Sequence, residues 1–333
     1  MKNNKITFKS VSDLKAHYNN KDYIVKNIVA KEEMVLLAAQ PAAGKTLLAL
    51  DMAICIALGI DWHGYKTKKK KVCYILGEGR SGVIPRIQAW EKENGLTVEN
   101  ADLFISNTTL PVDTKEGLIE IVLSIKETNI VPDIIIIDTY SRSLLGDENS
   151  AACAGEFVRN CNEISNVFSG CAIVVIHHTG KSDKTSIRGS SALTGAADKI
   201  FILNVENDKT RVLKCIKSKD DPENNPIFFR LKQVDLDYLD DDGEKVTSAI
   251  LERIADQPQN ISSNSERELA LECLALVIKR DGSASNNTWR DEFYTTMQGK
   301  KEPNSVRAAF SRYKSFFIEN GIIIESNNCF SIA

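Results

Sequence analysis

The stretch that most constrains the fold runs from Met34 to Leu50 and reads MVLLAAQPAAGKTLLAL. It begins with an apolar run typical of a buried strand and ends with an apolar segment typical of a helix. Between them, Gly44-Lys45-Thr46 matches the end of the pattern G-x-x-x-x-G-K-[ST], in which backbone N–H groups surround phosphates. The stretch therefore predicts a strand, a phosphate-binding loop and a helix. The residues expected to contact ATP are Ala42, Ala43, Gly44, Lys45, Thr46 and Leu47.

The loop departs from this pattern at its first glycine, which is replaced by Ala39. Alanine resists the positive φ that glycine adopts freely, so we expect residue 39 to keep an ordinary backbone angle and Pro41 to stiffen the turn. Lys45 is expected to reach the β- and γ-phosphates, and the Thr46 hydroxyl to bind Mg²⁺. The alternative is an accidental GKT between two buried elements.

Composition limits the class of protein. The 333 residues suffice for one large domain or for one with a small appendage. Eight scattered cysteines without a C-x-x-C pair predict reduced core residues rather than disulfides or zinc ligands. No apolar run reaches the roughly 18 residues of a membrane span, and the first ten residues lack the apolar core of a signal peptide, so we expect a cytoplasmic protein. A net charge of −3 argues that any nucleic-acid contact comes from local patches.

Three further predicted strands end in polar residues. Because the carboxyl ends of parallel strands meet at the ligand edge of an open α/β sheet, these residues are expected beside the phosphate loop. They are Glu78 after Val72–Leu76, Asp138 after Ile134–Ile137, and His177-His178 after Ala172–Ile176.

Each of these tips suggests a role in nucleotide chemistry. Asp138 ends the most hydrophobic run in the chain, as a Walker B acid that binds Mg²⁺ would. Residue 139 is threonine, so the neighbouring base is missing and Glu78 becomes the candidate to activate the attacking water, with Glu148 as its rival. His178 would contact the γ-phosphate. The alternatives are that Glu78 is an ordinary loop carboxylate and that either histidine is satisfied by backbone.

The second half of the main domain continues with a loop and more strands. Thr179 to Thr194 is rich in Gly, Ser and Lys, which predicts a mobile loop. The strands expected after it are Lys199–Val205, Arg211–Ile216, Phe228–Leu231 and, at the sheet edge, Ala249–Ile254.

The C-terminal region predicts a second, smaller domain. Residues 256–265 have the polar, Ser- and Asn-rich composition of a linker, which separates an ATPase domain at 1–255 from a domain at 266–333. Beyond the linker, three helical patterns and two short strands resemble a winged helix-turn-helix. Arg307 and Lys314 lie away from the apolar face of the third helix, where they could contact DNA. The alternative is a protein-docking module.

Five segments together resemble a known family. AAGKT, the strand ending LGEG, IIIIDT with the following GDEN, IHHTGK and RGSSAL occur in the order found in the RepA-type branch of RecA/DnaB-like hexameric ATPases, which includes plasmid and phage replicative helicases. The resemblance covers about residues 20–255. It implies an α/β fold, with a RecA-like P-loop NTPase core built on a mostly parallel sheet.

The resemblance also implies roles for individual residues. Lys45 and Thr46 would bind phosphate and Mg²⁺, Glu78 would be the general base, Asp138 the Walker B acid and His178 the γ-phosphate sensor. Arg188 would be an arginine finger that reaches the ATP of the next subunit. A Lys-x-Arg pair does a similar job in DnaB-like relatives, and here it reads Lys217-Ser218-Lys219, so Lys217 and Lys219 are the alternative finger.

The family assembly implies six subunits in a ring, with ATP at each interface and single-stranded DNA in a central channel. Lys181 and Lys184 would meet the DNA phosphates there, or else be ordinary solvated lysines. The implied function is an ATP-dependent helicase in plasmid, phage or mobile-element DNA replication. The alternatives are a non-translocating ATPase that serves as a recombination mediator, regulator or defence switch, and a nucleotide-binding scaffold with weak turnover.

Overall fold

The N-terminal part of the chain is built around one large sheet with helices on both faces. The computed structural model describes residues 8–16, 20–180, 186–206, 210–222, 224–254, 263–298, 303–326 and 329–332. The chain separates into two units, Met1–Ala255 and Asp256–Ala333. In the described parts of the chain, no helix combines the length and apolarity needed to cross a membrane.

Strands and helices alternate through most of the first unit. Its strands are β1 (Tyr23–Val25), β2 (Val29–Ala30), β3 (Met34–Ala39), β4 (Val72–Leu76), β5 (Leu103–Ile105), β6 (Ile134–Asp138), β7 (Ala172–His178), β8 (Lys199–Val205), β9 (Thr210–Ser218), β10 (Ile227–Leu239) and β11 (Lys245–Arg253). Its helices are α1 (Val11–Ala16), α2 (Lys45–Leu58), α3 (Val83–Asn94), α4 (Lys115–Glu127), α5 (Ala151–Val167) and α6 (Ser191–Ala196), with short 3₁₀ turns at Arg80–Gly82 and Tyr140–Ser143.

The order of the strands explains why the apolar runs are so pronounced. Among the described residues, nine strands pair in the order β11-β10-β9-β8-β3-β7-β6-β4-β5, and the strands from β8 to β5 are parallel. Helices α2 and α3 pack on one face of this sheet, and α4, α5 and α6 pack on the other. Every residue of β3, β4 and β6 is buried, as strands covered on both faces require. The predicted α/β fold with a mainly parallel sheet is confirmed.

The last two strands of the sheet differ from the prediction. The segment expected as Phe228–Leu231 extends through β10 to Leu239, and β11 begins at Lys245 rather than at Ala249. The added length of β10 carries Val234 and Leu236, which pack on Ala89 of α3. The sequence reads as polar there because Asp235 separates the two apolar residues and Asp237 follows them.

The predicted loop from Thr179 to Thr194 is wrong at its end, because Ser191–Ala196 forms the helix α6. The Ser190 hydroxyl accepts a hydrogen bond from the Ala192 N–H at 3.2 Å and so caps the helix. A serine pair reads as loop composition, yet serine is also a preferred N-cap.

The second unit consists of three helices and a small sheet. Its elements are α7 (Ser263–Asp281), β12 (Ala284–Ser285), α8 (Asn286–Met297), α9 (Pro303–Glu319), β13 (Ile323–Ser326) and β14 (Cys329–Ile332). The three strands pair antiparallel in the order β12-β14-β13. Trp289 is fully buried against Phe310 and Phe330, and its indole N–H donates to the Ala270 carbonyl at 2.6 Å. Helix α7 begins at Ser263, within the segment 256–265 whose composition predicts a linker.

Candidate nucleotide site

The phosphate loop connects β3 to α2. Ala39 is the last residue of β3 and, as expected, does not take a positive φ. The left-handed angles instead fall on Ala42, at φ 61°, and on Gly44, at φ 98°. An alanine in that region is unusual, and sequence reasoning did not identify Ala42 as the strained position. The two angles turn the chain onto the start of α2, where the first backbone N–H groups lack helical partners and suit an anion.

A cavity of about 370 Å³ lies beside this loop. Five of the six predicted ATP contacts line it, while Ala43 is fully buried behind them. The other lining residues are Glu78, Gly79, Arg86, Ser248 and Ala249. Ser248 and Ala249 belong to β11. Leu251 of the same strand packs against Gly44, since a Cβ on Gly44 would lie 3.5 Å from Leu251 Cδ1. Sequence reasoning missed the residues of β11 because the hairpin reaches the loop from about 200 positions away.

Asp138 lies at the tip of β6 and is fully buried. The Tyr74 hydroxyl donates to its Oδ2 at 2.7 Å. No described residue hydrogen-bonds to its buried Oδ1. Burial raises the pKa of Asp138, and the contacts from Tyr74, Thr46 and Lys45 oppose that shift.

These residues fit a bound Mg²⁺. The Thr46 hydroxyl and the free Asp138 Oδ1 are oxygen ligands, which this ion prefers, and Mg²⁺ typically takes one or two carboxylates together with substrate phosphates. Within the described ranges, no group of three or more His, Cys, Asp or Glu side chains is placed to hold a metal ion. Tyr74, which orients the Asp138 carboxylate, was missed because it reads as an ordinary strand residue.

Glu78 follows β4 at the same edge of the sheet. Its Oε1 accepts a hydrogen bond from the Thr139 hydroxyl at 3.3 Å and one from Arg142 Nε at 3.2 Å. Thr139 occupies the position of the usual base, next to Asp138. Its hydroxyl orients Glu78, the carboxylate that the sequence analysis predicts as the base instead. Gly77 allows the end of β4 to lie this close to Arg142 and Asp138. A Cβ on residue 77 would lie 2.7 Å from Arg142 Cβ and 3.0 Å from the Asp138 carbonyl.

The two histidines at the tip of β7 have different environments. His177 is fully buried, and its Nε2–H donates to the Arg188 carbonyl at 2.9 Å. Burial lowers its pKa to about 4. His178 is half-buried, and burial together with the Lys45 ammonium lowers its pKa. Backbone therefore satisfies His177 Nε2, while its buried Nδ1 has no hydrogen-bond partner among the described residues. His178 lines a cavity as a neutral imidazole.

That second cavity measures about 420 Å³ and brings three predicted catalytic residues together. It is lined by Glu78, His178 and Arg188, and by residues 141–148 of the segment after β6. Glu78 lines both cavities, so Lys45 on one side and Arg188 on the other lie around the same carboxylate. Arg188 forms an ion pair with Glu148 at 2.5 Å.

The other predicted cations lie elsewhere. Lys217 donates to the carbonyls of Thr194 and Gly195 at the end of α6, and Lys219 donates to Ala196 and Asp198. Lys181 and Lys184 fall outside the described residues.

In the second unit, Arg307 is exposed on α9. Lys314 donates to Asn286 Oδ1 at 3.1 Å and lies over the Phe330 ring, so its ammonium is held within the unit.

The chain is similar to known proteins both in sequence family and in fold. A family model described as an AAA domain matches residues 3–184, a span that includes the phosphate loop, Glu78, Asp138 and His178. The chain is also similar to a solved structure entitled "Crystal structure of the RadB recombinase", with 20% identity, a TM-score of 0.44, and coverage of 60% of this chain and 87% of that chain. No curated protein sequence matches the chain.

Proposed function

Because the chain belongs to the AAA-domain family of P-loop ATPases, we propose that it is a RecA-like ATPase that acts as an ATP-dependent helicase or translocase on single-stranded DNA. Its process would be plasmid, phage or mobile-element replication. The observation that supports hydrolysis most directly is the position of Glu78 between the phosphate-loop cavity and the cavity that holds His178 and Arg188.

The proposed reaction assigns a task to each of these groups. The loop N–H groups and Lys45 bind the triphosphate, and Thr46 and Asp138 hold Mg²⁺. When bound, Mg²⁺ neutralises phosphate charge. Glu78, oriented by Thr139, accepts a proton from the water that attacks the γ-phosphorus. His178 contacts the γ-phosphate, and Arg188 stabilises the charge of the transition state.

Arg188 is a better candidate for the finger than Lys217 or Lys219. Arg188 lines the cavity that Glu78 and His178 share, whereas both lysines donate to the carboxyl end of α6. A guanidinium also presents a planar fork that matches phosphate, and an ammonium does not.

Coupling to DNA would pass through the segment that follows β7. Thr179 pairs with Ile187, and Gly180 N–H donates to the Ser186 carbonyl at 3.0 Å. The two flanks of residues 181–185 are therefore held together directly beside His178. We expect loss of the γ-phosphate to move these flanks, and Lys181 and Lys184 with them, along DNA in the channel of a hexamer.

The second unit has the element order of a winged helix, and we propose that α9 contacts duplex DNA. The exposed side of α9 carries Asn304, Arg307, Ser311 and Ser315, which suit phosphate contacts. Arg307 would be the main cation, since the Lys314 ammonium is held by Asn286.

The second candidate function is a non-translocating ATPase that serves as a recombination mediator, regulator or defence switch. It is favoured by the charge pairing of the second unit, where Arg280 pairs with Asp281 and Glu292, and Arg290 pairs with Asp291. These arginines are occupied within the unit, so its surface could instead dock a protein.

Steady-state ATP hydrolysis with and without single-stranded DNA separates the two functions. The translocase predicts hydrolysis that DNA stimulates and that both Lys45→Ala and Arg188→Ala abolish, while Lys219→Ala retains most of it. A rate indifferent to DNA would instead identify the switch. Hydrolysis that survives Lys45→Ala would overturn the assignment of the phosphate loop.

A further inference from the structure

Arg188 is held at three points within its own chain. Its N–H donates to the His178 carbonyl at 3.1 Å, and its carbonyl accepts from His177 Nε2 at 2.9 Å. Its guanidinium pairs with Glu148 Oε1 at 2.5 Å. The first two contacts fix the Arg188 backbone to the tip of β7, so the side chain can change partner without backbone movement.

Glu148 lies where the segment after β6 closely contacts the segment before α6. Its side chain is only 12% exposed, and its buried Oε2 has no hydrogen-bond partner in the parts of the chain that the structure describes. Its carbonyl accepts from the Ser190 N–H at 3.4 Å and lies 2.8 Å from the position of a Cβ on Gly189. A carboxylate buried to this extent needs a cation nearby, and Arg188 supplies it.

We propose that Glu148 is a positioning residue that latches Arg188 away from the triphosphate, so that the resting enzyme hydrolyses ATP slowly. This proposal rests on the proposed ATPase function. The ion pair is a single contact, from Arg188 Nη2 to Glu148 Oε1. Guanidinium N–H groups donate to carboxylate and to phosphate alike, so Glu148 and the γ-phosphate compete for the same donors. Because Arg188 lines the cavity of Glu78 and His178, the exchange requires only a rotation of its side chain. The latch restrains Arg188 whether it serves its own ATP or that of a neighbouring subunit.

Glu148→Gln removes the negative charge and preserves the shape of the side chain. Releasing an ion pair whose arginine is half-exposed is expected to raise the rate of hydrolysis without DNA about twofold to fivefold. The fold-stimulation by DNA should shrink by the same factor, because the released state is then populated in advance.

The test compares kcat without DNA for the wild type, Glu148→Gln, Arg188→Ala and the double variant. Glu156→Gln is the matched control, because Glu156 also pairs with an arginine, Arg159, but on the exposed side of α5. The latch predicts a raised kcat for Glu148→Gln, an unchanged kcat for Glu156→Gln, and a double variant as slow as Arg188→Ala. That last result shows that Glu148 acts through Arg188 and not through general stability.

Three results would overturn the latch: an unchanged rate in Glu148→Gln, a fall to the Arg188→Ala level, or a raised rate that persists in the double variant. Wild type and Lys45→Ala in the same assay test the proposed function separately, because the latch concerns only the ratio of Glu148→Gln to wild type. If thermal unfolding shows that Glu148→Gln is not folded, Glu148→Asp replaces it. Aspartate keeps the charge but withdraws it by one methylene, so a smaller rise is expected, and no rise would contradict the latch.

Discussion

The two ends of the parallel strands carry clusters of charged and polar groups that differ in how completely they are paired. At the amino ends of β3 and β8, Lys199 is fully buried between Asp221, at 2.5 Å, and Glu33, at 3.5 Å. Lys21 pairs with the same two carboxylates, and the Tyr23 hydroxyl donates to Asp221. Burial opposes ionisation of Asp221, yet the contacts from Lys199, Lys21 and Tyr23 hold its pKa well below the ordinary range.

At the carboxyl ends of the parallel strands, several buried polar atoms of the described residues lack a hydrogen-bond partner. Asp138 Oδ1, His178 Nδ1 and Glu148 Oε2 are all buried, and none of them has a hydrogen-bond partner among the residues that the structure describes. Lys199 Nζ and Glu33 Oε1 at the amino ends also lack a hydrogen bond, but each lies within ion-pair distance of an opposite charge.

Glu148 and His178 line the second cavity, and Asp138 is buried at the same edge of the sheet. Buried polar atoms are normally satisfied, so unpaired ones at this edge indicate places where a ligand could complete the set. From this contrast we expect the paired cluster to stabilise the fold and the unpaired cluster to bind the nucleotide of the proposed function.

The largest effect is expected at the unpaired end. Glu78→Gln should lower kcat by about 10²–10⁴-fold, because the amide cannot accept the proton of the attacking water. Binding of ATP should change little, since Lys45 and the loop remain. Steady-state hydrolysis and equilibrium binding of a fluorescent ATP analogue measure the two quantities, with the partly exposed Glu156→Gln as control. A matched loss of binding and rate would mean that Glu78 only supports the cavity.

The paired end should respond in stability rather than in rate. Lys199→Met leaves two buried carboxylates with one cation fewer, which is expected to lower the free energy of unfolding by about 3 kcal/mol. The kcat measured well below the melting temperature should stay near that of the wild type. Urea unfolding checks the first statement, and Lys66→Met, which removes an exposed ion pair with Asp61, is the control with little expected change. A large loss of kcat in folded Lys199→Met would break the distinction between the two ends.

His177 is buried, as Lys199 is, but it is also close to the candidate nucleotide site. Its pKa of about 4 in the folded chain is below the ordinary 6.5, so the unfolded chain binds the proton between these values. Stability should therefore fall as the pH drops from about 6.5 to about 4, by up to about 3 kcal/mol from this residue, and its contribution should be constant outside that window. An NMR titration of the His177 ring checks the pKa directly. A midpoint near 6.5 would contradict the buried, neutral state.

A smaller effect is expected from the residue that orients Glu78. Thr139→Ala removes a hydrogen bond to a carboxylate and should lower kcat about tenfold, with little change in the Km for ATP. Thr139→Ser keeps the hydroxyl and should restore most of the rate. Equal rates for the alanine and serine variants would show that Arg142 alone orients Glu78.

The sequence predicts those parts of the molecule that depend on local patterns. The strand, loop and helix around Gly44 and the buried run before Asp138 follow directly from apolar periodicity. The strand tips could be placed at one edge because parallel strands align their carboxyl ends. Glu78 and His178, each predicted from a strand tip, line one cavity, and Arg188, which only the family resemblance singles out, lines it with them.

What sequence reasoning missed depends on contacts between distant segments. The approach of Leu251 in β11 to Gly44 joins residues about 200 positions apart, and the Val-Asp-Leu-Asp segment of β10 reads as a polar turn. Thr139 appeared as a missing base, because its role needs the register of β4 against β6. The pairing of Glu148 with Arg188 joins residues 40 positions apart that no periodicity connects.

Thermal unfolding with and without Mg²⁺ and a non-hydrolysable ATP analogue tests the central claim most directly. A ligand at about 100 times its Kd stabilises a protein by about 2.7 kcal/mol, so the wild-type Tm should rise by several degrees. Lys199→Met should start from a lower Tm and rise by a similar increment, whereas Lys45→Ala should not respond. No rise in the wild type, or an equal rise in Lys45→Ala, would contradict the assignment of the unpaired end as the nucleotide site.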